Sequence, residues 1–499
     1  MRNGTAGVIT LLLAFALQAE GQIPTREYAD RRAALAARLG DGILLALGNG
    51  EPVNDYESFG QNPSFQYLTG VREAGAALVM VRRGGTTTAT LFVQPRNPAA
   101  ETWTGARMGT TGATSATGLP AREYRFLRPV LDSLLQNAPR DSAGRPPVLR
   151  VVGEMSGRGT ARSPHAQFVD SLRQAHANLQ VQSGEQLLAQ LRGRKSAAEL
   201  ELIRRAVAIT VQAQGEAMRA IEPGMNEFEI QALIEYTFRR NGADRPSFAT
   251  IVGSGPNSTT LHYNADDRFM QAGEVVVMDI GASYRGYAAD VTRTVPVSGT
   301  FSPAQREIYQ VVRDAQAAAE REAKPGASAQ RMVEASNAVL AAGLARLGLI
   351  ESANATYDCG PERQCQQLSL FYMHGLGHGI GLEVHDPEQY YFTGTIAEGS
   401  AFTLEPGIYV RGNVLDILPD TPRNRALKEK IRAAATKYAN IGVRIEDDYI
   451  VTASGVEWIS RAPRELAEIE ATMRQPFAGP APRDPKTVEW YRATTGGSR

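Results

Sequence analysis

Hydrophobic residues over roughly the first 187 positions follow two different periods. In "YADRRAALAARLG" and "RFLRPVLDSLLQN" they recur at helical spacing. "GILLALG", "GAALVMV" and "TATLFVQP" are short apolar runs bounded by turn residues, which suits buried strands. Between them a stretch rich in Gly, Thr and Ser at 104–118 reads as a loop. From "LRGRKSAAELELIRRAVAITVQAQGEAMRAI" onward the pattern shifts to long helices. "EPGMNEFEIQALIEYTFRR" and "KPGASAQRMVEASNAVLAA" each place a Pro-Gly break between two helices, with Asn226 and Ser328 where an N-cap oxygen is needed. Ser302, Pro303 and Gln305 signal another helix start through a capping box. A strand-rich segment follows each helix pair. The pattern predicts an α/β domain followed by an α+β domain with internal pseudo-twofold duplication, its two halves closing over one site.

Length supports that division, because 499 residues exceed one ordinary core. Charge narrows the partners: 53 Lys+Arg balance 53 Asp+Glu, so no basic field draws nucleic acid. The N-terminal "MRNGTAGVITLLLAFALQAEGQ" has an early Arg2, an apolar run from Val8 to Leu17 and small residues near Ala19 and Gly21. The run is short for a bilayer span and suits a secretory signal cleaved after Ala19 or Gly21; a buried first helix or an uncleaved anchor are the alternatives. Export would place Cys359 and Cys365, six positions apart, in an oxidising compartment where they can close a small loop; two unpaired thiols are the alternative.

Candidate chemistry gathers in the second domain. "GEVVVMDIGASYRGYAADVTRTVPV" reads as a hairpin. If it is symmetric about Tyr284 and Arg285, Asp279 and Asp290 stand opposite each other and repel unless a cation lies between them. Glu405 lies in "SAFTLEPGIYV". Glu446 lies in "NIGVRIEDDYIVTASG", where Arg444, Glu446 and Asp448 share one face of a strand buried on both sides. A carboxylate so buried needs a strong partner, and a metal is one. The chain has six histidines, and His374, His378 and His385 fall together in "FYMHGLGHGIGLEVHDPE". His374 and His378 have the spacing of zinc ligands on a helix, but Gly375 stands where the helical metalloprotease motif needs Glu. Four alternating glycines also make a poor helix, and instead allow close backbone approach to a ligand or another strand.

Asp279, Asp290, His378, Glu405 and Glu446, in that order, resemble the ligand set of the pita-bread metallopeptidases. The chain is most similar to their Xaa-Pro aminopeptidase and prolidase branch. The motifs are "IVGSGPNSTTLHY", "VVVMDIGASYRGYAADVTRT", "HGLGHGIGLEVHD", "FTLEPGIY" and "GVRIEDDYIVT", and "NPSFQYLTGVREAGAALVMV" resembles the creatinase-type N-terminal domain. The resemblance covers about 25 to 472. With the signal segment read at 1–21, it implies a creatinase-type domain at 22–187 and a pita-bread catalytic domain at 188–472, and leaves a tail at 473–499 outside it.

Carried over, the resemblance implies that Asp290 and Glu446 bridge two divalent ions. Asp279 would complete one ion's set, while His378 and Glu405 would bind the other. His262 and His385 would meet the substrate, His374 and Arg444 would surround the site, and Glu405 would also shuttle a proton. A carboxylate-rich set with one imidazole suits manganese, zinc or cobalt, and the family points to manganese. The implied enzyme is an exported Xaa-Pro aminopeptidase in which a metal-bridging hydroxide attacks peptides with proline second. The branch commonly forms dimers or tetramers, and stable membrane insertion is not expected after signal cleavage. An Xaa-Pro dipeptidase shares every ligand; a non-catalytic binding module on the same fold is the remaining alternative.

Overall fold

A six-stranded mixed sheet forms the N-terminal half of the computed structural model, which describes residues 22–52, 58–137, 148–156, 161–480 and 485–486. Its strands run in the order Ala121–Glu123, Thr86–Val93, Ala77–Arg83, Gly42–Leu47, Val148–Val152, Gln180–Ser183. The three runs read as strands therefore form its centre, and Leu44, Leu45, Leu78 and Leu91 are fully buried. The stretch at 104–118, read as a loop, instead contains a helix, Gly109–Thr117. Its intrinsic propensity is poor, and tertiary packing overrides it. Ala113 is fully buried, Thr117 Oγ1 donates to Ala113 O at 2.7 Å, and Glu73 Oε1 accepts from Met108 N just ahead of the first turn at 2.6 Å. The expected signal segment, 1–21, lies outside the described residues. Among the described residues no helix is long and apolar enough to cross a membrane.

The second half shows the duplication. Helices Ala197–Ala220 and Glu227–Arg240 precede the hairpin strands Val275–Ile280 and Val291–Pro296. Helices Pro303–Glu322 and Ala329–Arg346 precede strands Ala401–Leu404, Gly407–Val410, Ile441–Arg444 and Asp447–Thr452. Each half builds a three-stranded antiparallel sheet, one centred on Val275–Ile280 and the other on Asp447–Thr452. Ser302 forms the expected capping box, and Asn226, expected as an N-cap, forms one with Glu229 as well. Ser328 makes no side-chain cap bond. There the Ala329 N–H donates to Gly394 O at 3.0 Å, so a neighbouring loop satisfies the helix start instead.

Two buried glutamines carry the symmetry into the site. Gln214 donates to the carbonyls of Met278 and Val291, next to Asp279 and Asp290. Gln316, at the same distance ahead of its own Pro-Gly break, donates to the carbonyls of Leu404 and Ile445, each just before a glutamate. The first helix of each half thus fixes the backbone from which two carboxylates project.

Cys359 and Cys365 are disulfide-bonded across a hairpin, with Cα atoms 5.7 Å apart. The long connection between Gly407–Val410 and Ile441–Arg444 folds into helix Pro422–Lys437. It packs Leu427, Ile431 and Ala435 inward and hydrogen-bonds Asn424 to Asp358 of that hairpin.

Candidate metal centre

The ligand hairpin turns two residues' worth of register away from the symmetric arrangement expected. Asp279 pairs with Thr292 rather than Asp290, because the turn is centred on Arg285 and Gly286. Both adopt positive φ, 51° and 87°, the geometry of a two-residue hairpin turn whose twist matches the strands. The aspartates are diagonal neighbours on one face.

From the second half, the strand around Glu446 is buried throughout, as its flanking residues suggest. Glu446 Oε2 accepts from Thr292 Oγ1 at 2.8 Å, and its backbone N–H donates to Thr292 O, locking the two halves together. Arg444, from the same segment, donates to Asp279 Oδ2 at 2.7 Å and to the Tyr409 hydroxyl at 2.8 Å.

The histidine stretch is not helical. Its glycines serve strand approach. A Cβ at Gly377 would collide with the Thr403 carbonyl, and one at Gly379 with the Asp386 carbonyl, so His378 is drawn against the strand that leads to Glu405. His378 Nδ1 donates to Gly379 O at 3.1 Å, leaving Nε2 as a free lone pair. That atom lies 3.6 Å from Asp290 Oδ2, 3.6 Å from Glu405 Oε1 and 3.7 Å from Glu446 Oε1. Burial, and His385 beside it, lower the imidazole's pKa to about 4, so it is neutral and these are not ion pairs. Such separations are too long for hydrogen bonds. They fit atoms sharing one cation, since two ligands each about 2.1 Å from a tetrahedral ion lie roughly 3.4 Å apart.

The carboxylates carry the same message. Asp279 Oδ1, Asp290 Oδ1 and Glu446 Oε1 are buried without a hydrogen-bond partner. Burial, and then the neighbouring carboxylates, push Asp290 and Glu405 well above the usual carboxylate range and Glu446 up to about 8. Asp279 differs: burial pushes it up, but the Arg444 guanidinium outweighs this and holds it below the usual range. Four carboxyl groups, three of them with an orphaned oxygen, and one neutral imidazole make a cavity chemically matched to divalent cations. Asp290, His378 and Glu446 alone bring one ligand atom each to within 4.8 Å of one another.

Comparison with known proteins agrees with this geometry. Residues 201–453 match the model of metallopeptidase family M24, and residues 28–141 match that of the aminopeptidase P N-terminal domain. The chain belongs to metallopeptidase family M24. Among its M24 relatives, the Xaa-Pro aminopeptidase of Haemophilus influenzae is 32% identical over 460 residues, covering 91% of this chain and 98% of that protein. The Xaa-Pro aminopeptidase of Escherichia coli is 31% identical over 463 residues with the same coverage. Among solved structures, an Escherichia coli aminopeptidase P variant in complex with substrate superposes with a TM-score of 0.73 at 29% identity. It covers 91% of this chain and 98% of its own. Proline aminopeptidase P II from Yersinia pestis gives the same score and identity over 90% and 99%. The fold is thus an N-terminal domain followed by an M24 pita-bread domain, and the chain is a metallo-aminopeptidase that binds divalent metal.

The other imidazoles singled out in the sequence also gather at this M24 site. His385 lies against His378 with ring centroids 4.1 Å apart. Burial, and then the nearby His262, lower the pKa of His385, and His262 also faces His374. Both His262 and His385 are exposed, on the open side of the centre. His374 is inside: its Nδ1 donates to Gly375 O at 2.8 Å, and its Nε2 accepts from the Tyr409 hydroxyl at 2.7 Å. Burial and then Arg444 lower its pKa to about 4, so it is neutral too. Asp279, Arg444, Tyr409 and His374 therefore form one chain in which every donor meets an acceptor. It ends with His374 Nδ1 3.4 Å from Glu405 Oε2.

Sequence reasoning missed Tyr409, Thr292 and the two glutamines. Tyr409 was visible in "FTLEPGIYV", but only the fold shows it joining Arg444 to His374.

Proposed function

We propose that this chain is an exported Xaa-Pro aminopeptidase that removes the first residue of peptides with proline second, using a pair of divalent cations. The convergence of His378 Nε2 on three carboxylates, of which Asp290 and Glu446 each keep an orphaned oxygen, carries this reading, and the relatives' names support the substrate class. Asp290 and Glu446 would be shared by both cations, Asp279 would hold one, and His378 and Glu405 the other. Manganese fits the carboxylate-rich set, with zinc and cobalt as alternatives. When bound, the cations supply a water ionised near neutral pH as the nucleophile, and polarise the carbonyl it attacks.

The chain's own residues do the rest. An Xaa-Pro bond has no N–H and a ring-fixed φ, so a site that grips its substrate through that N–H rejects it. The exposed His262 and His385 can instead donate to the substrate carbonyls and to charge developing on the attacked oxygen. Glu405 accepts the proton of the attacking water and passes it to the departing proline nitrogen. His374, held by Tyr409 and Arg444, stands beside Glu405 and bounds the space in which it works. Export is supported by the apolar run from Val8 to Leu17, and the Cys359–Cys365 bond suits an oxidising compartment.

The test uses metal-loaded protein with an Xaa-Pro dipeptide, an Xaa-Pro tripeptide and a tripeptide lacking proline. Release of the first residue from the Xaa-Pro tripeptide is expected. Cleavage of the dipeptide alone would make it a dipeptidase, and cleavage only of the proline-free peptide would overturn the specificity.

A further inference from the structure

A cleft of about 340 Å³ separates the N-terminal domain from the ligand hairpin. Asn49 and Gln61 line one wall, Ser283 of the hairpin another, and Leu382 and Val384 a third; Val384 is the neighbour of His385. The walls are mainly polar, and Arg245 reaches into the space between them.

Arg245 is the charge here that no described carboxylate balances. Its one hydrogen bond among the described residues is a long one, 3.4 Å to Pro246 O, and no carboxylate among them lies within ion-pair distance. Among the described residues, two acidic groups stand close in sequence or space, and both are already neutralised. Glu383 is held by Arg192 at 2.6 Å. Asp244 is held by Arg72 at 2.8 Å and by the Gly286 N–H at 2.9 Å. Gly60 lies against the guanidinium and has no side chain to cover it. A half-buried guanidinium in a polar cleft, with no carboxylate partner among the described residues, is pre-organised for a carboxylate.

We infer that this cleft receives the side chain of the substrate's first residue and that Arg245 selects an acidic one, aspartate or glutamate. The inference rests on the Xaa-Pro reading above. The first residue's side chain leaves the carbon bonded to the attacked carbonyl, so it starts one bond from the reacting centre. Directed away from the metal ligands, it passes His385 and enters between Val384 and the hairpin. With cations balancing the four ligand carboxylates, the guanidinium is the unbalanced charge among the described residues that such a side chain meets.

The experiment compares kcat/KM for Glu-Pro-Leu, Gln-Pro-Leu, Ala-Pro-Leu and Lys-Pro-Leu on the metal-loaded enzyme. Glu and Gln have nearly the same shape, so their ratio isolates charge. It should favour Glu by about 10-fold, fall with added salt, and place Lys last. In Arg245→Gln the ratio should collapse toward one, and in Arg245→Lys part of it should return. A wild-type ratio near one, or a ratio unchanged in Arg245→Gln, overturns the inference. If Arg245→Gln does not fold, the wild-type ratio and its salt dependence decide. If no Xaa-Pro peptide is cleaved, the proposed function fails, and the subsite is judged by calorimetry with Glu-Pro and Gln-Pro: tighter Glu-Pro supports it, equal affinities overturn it.

Discussion

Glu446 and Asp447 are neighbours on one buried segment, yet their environments are opposite. Asp447 accepts from Arg293, Trp458 and Ser460 on one oxygen, and from Gln316 and Arg464 on the other. Burial pushes its carboxyl up, but Arg293 and Arg464 outweigh this and hold it below the usual range. Glu446, pointing to the other face, has one hydroxyl partner and one orphaned oxygen, and is pushed up to about 8. Asp448 returns to the face of Glu446 and resembles it, with Oδ1 orphaned and its carboxyl well above the usual range. The strand thus separates two uses of buried acid. Where the protein supplies every donor, the carboxylate fastens structure; where donors are withheld, a cation must supply the missing charge.

The largest effect expected from this contrast is on catalysis. Glu446→Gln or Asp290→Asn should cut hydrolysis by roughly 1,000-fold or more and lower bound metal, since both ionisation of the nucleophile and polarisation of the carbonyl depend on it. Metal-free melting temperature should stay level or rise, because repulsion is relieved. A large metal-free destabilisation would erase the distinction from Asp447. Asp447→Asn is the mirror case. It should destabilise the fold by about 3–5 kcal/mol by stranding Arg293 and Arg464, while metal per folded chain, measured by mass spectrometry, stays at the wild-type value.

Asp386 extends the paired class to the substrate side. Arg192 and Lys195, from the segment joining the two domains, both bind it, and it adjoins His385. Arg192→Met should therefore lower kcat/KM by about 10-fold through a misplaced His385 while leaving metal content intact. Steady-state kinetics beside metal analysis checks this, and loss of metal would instead assign Arg192 to the ligand class.

The smallest effect is on pH dependence. In metal-free protein the folded-state pKa of Glu446 is raised above its unfolded value. Its contribution to stability is therefore fully present below about 4.5 and lost as pH rises through about 8. Cations bind the ionised form, so the gain in melting temperature on adding manganese should grow by a few degrees from about pH 5 to about pH 8. A gain that is flat or shrinks with pH contradicts a carboxylate centre.

The core strands, the duplicated helix pairs and the convergence of the acids with His378 were legible because each rests on local periodicity or on motif order. The hairpin register was not, because it depends on which two residues accept positive φ; Arg285 with Gly286 does so, shifting the partner of Asp279 to Thr292. The helix at Gly109–Thr117 was hidden because its formation depends on burial of Ala113 rather than propensity. Gln214 and Gln316 gave no signal, since a glutamine in a helix is ordinary until the carbonyls it holds are known. The split between Glu446 and Asp447 was half visible: alternation assigns their faces, but only the fold brings Arg293 and Arg464 to one of them.

Metal stoichiometry on active protein, followed in parallel with Xaa-Pro hydrolysis through exhaustive chelation and re-addition of manganese, tests the central claim most directly. Two divalent ions per chain are expected, with activity lost as they leave and restored as they return. Full hydrolysis by chelated protein holding less than one ion per chain would contradict it.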